Sequence, residues 1–221
     1  MIKRYFDFIL KEKTQNFVAF LYYLSIIVFM LGINLPTELD IAWIIFVVGT
    51  MPFVIPIYIV EAFEKTVDKS SKKKTGLHKR RIKKILTEIL LCIPVILISI
   101  CINTFIIVGK PANQISIEQS FKEALIWELI SCIVIAPIIE EFIFRFLPAR
   151  FIKNKIIYII VSAVVFAAAH VANDSNPFYY IWAYMIKSLY YGYRYYKTKD
   201  IWVTISLHSF SNIIATIIIL L

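Results

Sequence analysis

The sequence predicts an all-α fold: a polytopic transmembrane helical bundle of about seven spans with a cytoplasmic N-terminus. Three observations carry this expectation. The 221 residues are 60% hydrophobic, above the roughly half apolar composition of soluble domains. The apolar residues come in long runs such as the charge-free stretch 16–36, and about 20 apolar residues suffice to cross the hydrocarbon core as a helix. Basic and non-basic connections then alternate along the whole chain, as the positive-inside rule requires.

Taken in order, the expected helices are 16–36, 41–62, 85–109, 122–147, 155–173, 177–196 and 201–221. The first is too long for a signal-peptide core and has no small-residue cleavage site, so it is expected to stay in the mature protein. Before it, Tyr5, Phe6, Phe8, Ile9 and Leu10 face Lys3, Arg4, Lys11 and Lys13, the pattern of a short interfacial helix. The next connection carries Glu38 and Asp40 and no base. The third is a basic loop, 65–84, holding ten of the 24 Lys and Arg residues. A loop around 110–120 has one lysine, Arg150, Lys153 and Lys155 follow, the turn 173–176 has no base, and Arg194, Lys197 and Lys199 come last. This alternation puts the N-terminus inside and the C-terminus outside.

The net charge of +9 is therefore concentrated at one set of helix ends. A basic run between spans points to anionic lipid; no nucleic-acid partner is expected, because no aromatic interleaving or binding motif accompanies it. Cys92, Cys101 and Cys132 lie in apolar runs without a CxxC pair, which argues against a disulfide framework or a cysteine zinc site. The chain divides into N-terminal helices, 1–121, and a C-terminal helical core, 122–221.

Polar residues inside the spans are costly, about 3 kcal/mol for each charge on insertion scales. Glu140, Glu141 and Arg145 crowd one helix. Glu141 and Arg145 are four apart and share a face, so they are expected to satisfy each other. Glu140 points about 100° away and is left free for chemistry, while Pro137 one turn earlier removes a backbone hydrogen bond and is expected to kink the helix. His170 ends FAAAH, where Phe166 lies one turn back and the alanines permit close approach. His208 and Asn212 in HSFSN share one face of the last helix. His78, in the basic loop, is expected to be solvated. Glu88, Glu123, Glu128 and Lys187 are expected at interfaces or a cavity, without assigned chemistry. Counted at 1.5 Å per residue from the cytoplasmic ends, Glu140 lies about 15 Å deep, His208 about 10 Å and His170 about 21 Å. A single site thus needs a fifth helix that is tilted or starts below the membrane surface, or shifted boundaries. The cavity is expected to open toward the cytoplasm.

EEFIFR at 140–145 fits EExxxR, FAAAH at 166–170 fits FxxxH, and HSFSN at 208–212 fits HxxxN. Together and in this order they resemble the CPBP or Abi family, the CAAX proteases and bacteriocin-processing membrane proteins, over roughly 122–216. The resemblance implies an intramembrane, metal-independent glutamate-type endopeptidase with 122–221 as its catalytic core and no cofactor. Glu140 would be the general base that activates water and His170 would help hold that water. His208 and Asn212 would form the oxyanion site, with Glu141, Arg145 and Phe166 in support. Burial suits a carboxylate base, and a positioned His and Asn in a low-dielectric site suit an oxyanion. The Ile- and Lys-rich composition points to an AT-rich bacterial genome and the bacterial cytoplasmic membrane. A peptide pheromone, bacteriocin precursor or membrane-anchored peptide is then a better substrate than a prenylated CAAX protein. The competing readings are a zinc-dependent membrane protease, which would use two His and a carboxylate although HExxH is absent, a non-proteolytic bacteriocin self-immunity protein, and a transporter or proton relay.

Overall fold

The structure, a computed structural model, describes residues 16–25 except 18 and 22, and 74–221, with side chains from Arg80 onward in the second stretch. Among these residues every regular element is helical. The expected span 41–62, the interfacial helix 1–14, the Glu38–Asp40 connection and the start of the basic loop lie outside the described residues. Part of the expected span 16–36 is described, and it is helical.

Helix α1, Lys74–Phe105, begins well before the expected residue 85. Lys, Arg and Leu are good helix formers, so the second half of the basic run continues the helix rather than forming a loop. Gly109 then reverses the chain at φ 87°. A Cβ there would lie 3.0 Å from the Tyr180 hydroxyl, so the turn accepts only glycine without a shift.

The expected loop around 110–120 is mostly helix. Pro111 precedes α2, Ala112–Ile130, and the backbone breaks inside it at Ala124 (φ −147°, ψ 59°). The expected helix start at 122 falls at that break. Beyond it the rod passes through a π-turn at Ser131–Ile135, α3 at Ala136–Glu141, a second π-turn at Phe142–Phe146 and α4 at Leu147–Phe151. Each π-turn immediately precedes a helix with proline in its first turn, Pro137 or Pro148. The expected kink at Pro137 is thus a π-bulge, one of the recognised ways a proline is accommodated.

Asn154 caps α5, Lys155–Val171, by accepting from the backbone N–H groups of Ile156 and Ile157. The short α6, Pro177–Tyr180, leads into α7, Trp182–Thr198. Asp200 caps α8, Ile201–Leu220, through the N–H of Trp202. Helices α5 and α7 pack along each other most extensively. Ala163 and Ala167 of α5 are buried together with Met185 of α7, and a Cβ on Gly192 would already be in van der Waals contact with Ser162 and Ile159. Helix α1 lies against α7 and α8, and α8 lies against α3 and the first π-turn. One apolar core joins Phe144, Phe146, Leu147, Tyr158, Phe166, Tyr195, Ile201 and Ile205, with Ala19 and Tyr23 of the first described stretch added to it.

Arg80–Phe105 and Ile201–Leu220 are long and apolar enough to cross a membrane, and α5 is a shorter apolar helix. Leu86, Leu90, Leu97 and Phe105 project outward from α1 among the described residues. A lipid-facing surface tolerates such a row, which water would not. The count of seven spans and the inside N-terminus rest on the sequence.

Candidate active site

The two π-turns place the site. In an α-helix the carbonyl of Cys132 would accept from the N–H of Ala136, but that N–H bonds Ser131 instead. The next residue, Pro137, has no N–H. The Cys132 carbonyl is therefore open, and Asn212 of α8 donates to it from Nδ2 at 2.8 Å. The second bulge is closed similarly. Pro148 cannot donate to the Phe144 carbonyl, which accepts from Ser162 Oγ at 2.7 Å, while Tyr158 donates to the Arg145 carbonyl at 3.1 Å. Side chains of α5 and α8 thus pin the segment that carries Glu140, Glu141 and Arg145.

Glu141 and Arg145 are both fully buried, and Nε of Arg145 lies 3.5 Å from Glu141 Oε2. The expected pair is present, but Glu141 has a second partner that the spacing did not show: its shorter contact is from Oε1 to His208 Nδ1, at 2.9 Å. Arg145 also donates from Nη2 to Ser188 Oγ at 2.8 Å and stacks its guanidinium over Phe166, 4.8 Å from the ring centroid. A fully desolvated cation gains from an aromatic face. Phe166 in turn stacks on His170 at 4.3 Å and meets His208 edge-on at 5.7 Å.

Glu140 occupies the centre. Its Oε2 is 3.6 Å from His170 Nε2 and 3.7 Å from His208 Nε2. Nδ1 of His170 faces the Phe166 carbonyl at 2.8 Å and must donate to it. Nδ1 of His208 faces the Glu141 carboxylate and donates likewise. Both rings therefore turn Nε2 toward one carboxylate oxygen, at separations longer than a direct hydrogen bond and suited to a bridging water or a polar substrate atom. Tyr184 packs on His170 at 4.7 Å and Tyr191 on His208 at 5.6 Å between centroids. Among the described residues no group of three or more His, Cys, Asp or Glu side chains is placed to hold a metal ion.

This constellation lines a cavity of about 550 Å³ that also includes Glu128, Cys132, Lys187, Ser211 and Asn212. Its wall continues through Thr104, Gly109, Lys110 and Asn113 and along α8 to Ile218 and Ile219. Those are the ends away from Arg150, Lys155 and Lys197. Among the described residues the wall thus runs to the end of the bundle opposite the basic one, whereas the expected opening is toward the cytoplasm.

The depth mismatch has a structural answer. The α5 stretch from Lys155 to His170 rises about 22 Å, and the α8 stretch from Ile201 to His208 only about 10 Å. Both rings reach Glu140, so the start of α8 is recessed. Asp200 at that start is accordingly buried, under Arg81 and Lys84 of α1.

All seven residues singled out in the sequence, Glu140, Glu141, Arg145, Phe166, His170, His208 and Asn212, converge on this one site. Ser188, Tyr184 and Tyr191 were missed. Their spacing on α7 was a usable signal, since 184, 188 and 191 follow the i, i+4, i+7 pattern of one helix face.

Fold and site together define a helical membrane protein with a buried carboxylate–histidine centre. Residues 122–214 match the family model described as type II CAAX prenyl endopeptidase, Rce1-like, which is the family that the three sequence motifs resemble. The match spans α2 to α8, includes every site residue and covers somewhat under half of the chain. Comparison with curated proteins and with solved structures gave no match.

Proposed function

We propose that the chain is an intramembrane endopeptidase of the CAAX-protease type that hydrolyses peptide bonds with a glutamate base and two histidines. The observation that supports it best is the single carboxylate oxygen of Glu140 flanked by two imidazole Nε2 atoms on a cavity wall. A water held between Glu140 and His170 gives its proton to Glu140 and adds to the substrate carbonyl. The carbonyl oxygen becomes an oxyanion. His208 serves it from Nε2 only as an imidazolium, because Nδ1–H is already given to Glu141. The buried Glu141 carboxylate stabilises that charge, which makes Glu141 more than a partner for Arg145. Asn212 keeps one N–H on Cys132 and has a second to offer. Collapse of the tetrahedral intermediate breaks the C–N bond, and the proton on Glu140 passes to the departing amine. Peptide pheromones, bacteriocin precursors and membrane-anchored peptides are the proposed substrates, and the bacterial cytoplasmic membrane the proposed location.

Profiling peptides released by cells that carry wild type, Glu140→Gln or His170→Ala tests this. Each variant should abolish release of at least one peptide while remaining in the membrane fraction. Identical profiles would count against proteolysis, and full protection against a bacteriocin by Glu140→Gln would favour the immunity reading.

A zinc reading would use Glu140 and the same two histidines, whose Nδ1 atoms are oriented from behind as in metal sites, although among the described residues no such group is placed to hold a metal ion. It predicts stoichiometric zinc in purified protein and activity lost to a strong chelator. Activity in metal-free protein would sink it.

A further inference from the structure

Lys187 is a charged residue of the cavity wall that the proposed chemistry leaves unused. It lies on α7 at the third position after Tyr184 and the fourth before Tyr191, so the three share a helix face. Tyr184 packs on His170 and Tyr191 on His208. Lys187 therefore stands between the levels of the two histidines and, like them, lines the cavity. Its charge is within electrostatic range of Glu140, but among the described residues it makes no hydrogen bond or ion pair. The other lysine on the wall, Lys110, is held by both carboxylate oxygens of Glu118 at 2.8 and 2.6 Å. Glu128 of the wall accepts from the Cys132 thiol at 3.0 Å. An ammonium placed inside a membrane protein without a partner marks a ligand path by default, because desolvating it is costly unless an anion arrives.

We infer that Lys187 is a specificity-determining residue that receives a substrate carboxylate, from a free chain terminus or an acidic side chain, and so sets which peptide bond reaches Glu140. This rests on the peptidase reading. A carboxylate suits the site on two grounds. Peptides carry no other common anion, and the wall that holds Lys187 also carries apolar or neutral residues such as Ile96, Ile100, Ser99 and Ala183, beside the acids Glu128 and Glu140. In such surroundings a charge-assisted hydrogen bond is stronger than in water.

The test uses purified full-length protein in nanodiscs of zwitterionic lipid and a random-sequence peptide library in three forms: free terminus, amidated terminus, and acidic residues replaced by their amides. Wild type should cleave carboxylate-bearing peptides about 10- to 100-fold better by kcat/KM, the range of one charge-assisted hydrogen bond. Loss of that preference on amidating the terminus assigns the terminus; loss on removing Asp and Glu assigns the side chain. Lys187→Met should bring the ratio to about one, and Lys187→Glu should turn it toward lysine-bearing peptides. A Lys187→Met ratio equal to wild type overturns the inference, as does an equal fall for all three libraries. If wild type cleaves nothing, the peptidase reading fails first. Fluorescence anisotropy of the same labelled peptides then decides on Lys187: carboxylate-dependent binding lost in Lys187→Met upholds it, and binding indifferent to the carboxylate overturns it.

Discussion

Two buried charge clusters hold this bundle together, and they differ in what they leave over. At the basic end, Arg194 of α7 pairs with Glu88 of α1, and Asp200 receives Arg81 at 3.3 Å and Lys84 at 3.2 Å while capping α8. There each acid meets a base. At the centre, Arg145, Glu141 and His208 form a similar chain, but it ends on Glu140, which faces two imidazole Nε2 atoms at 3.6 and 3.7 Å and, among the described residues, has no Lys or Arg in ion-pair contact. The first cluster closes a helix interface. The second ends at a cavity with proton-accepting capacity unspent. Charge burial by itself therefore does not mark a site; an incomplete pairing that opens on a cavity does.

The largest way to break this comparison is Glu140→Gln. It should lower peptide hydrolysis by about 10³-fold, in the range of a lost general base, and leave thermal unfolding in detergent nearly unchanged, because Glu140 makes no close ion pair with a described Lys or Arg. Arg194→Met should do the opposite. An uncompensated Glu88 would destabilise by about 3–5 kcal/mol, and the double variant Glu88→Leu/Arg194→Met should recover most of it. Activity per folded molecule should stay near wild type throughout, measured after thermal-shift calibration. Asn212→Leu should cost about 1–3 kcal/mol by orphaning the Cys132 carbonyl, with a further loss of kcat. A loss of stability alone would restrict Asn212 to positioning the bulge.

The smallest effect is at Lys110, on the cavity wall. The Lys110 hydrogen bond holds the Glu118 carboxyl below its ordinary value. A depressed carboxylate adds stability above its unfolded pKa, and this is lost as pH falls through the folded one. Lys110→Ala should therefore lower the stability slightly near pH 7, by about 0.5 kcal/mol or less for so exposed a pair, read as a small fall in Tm. It should be indistinguishable from wild type at strongly acid pH.

Much of the site was legible because its residues are expensive. Glu140, Glu141 and Arg145 within one apolar helix, and a His on each of two others, require partners, and i, i+4 spacing is local information. What the spacing could not reveal is the second partner. Glu141 meets both Arg145 on its own helix and His208, distant in sequence, and α8 brings the imidazole closer than the guanidinium. Helix boundaries were misread where composition misleads: the second half of the basic run is a good helix former, and 112–123 is helical though too polar for a span. The recessed start of α8 was invisible because rise per residue measures depth only from ends that lie in one plane.

The sequence by itself determined that the chain is helical, that two of its described helices are apolar enough for a membrane, and that a carboxylate, two histidines and an asparagine sit inside it. Periodicity and hydropathy are properties of neighbours along the chain, and they suffice for that. Only the tertiary structure decided that Asn212 closes the Pro137 bulge, that the two histidines present the same nitrogen to Glu140, and that the cavity wall runs away from the basic end. Each of these depends on which carbonyl a π-turn leaves open and how far one helix slides past another, and those are outcomes of packing between segments far apart in sequence.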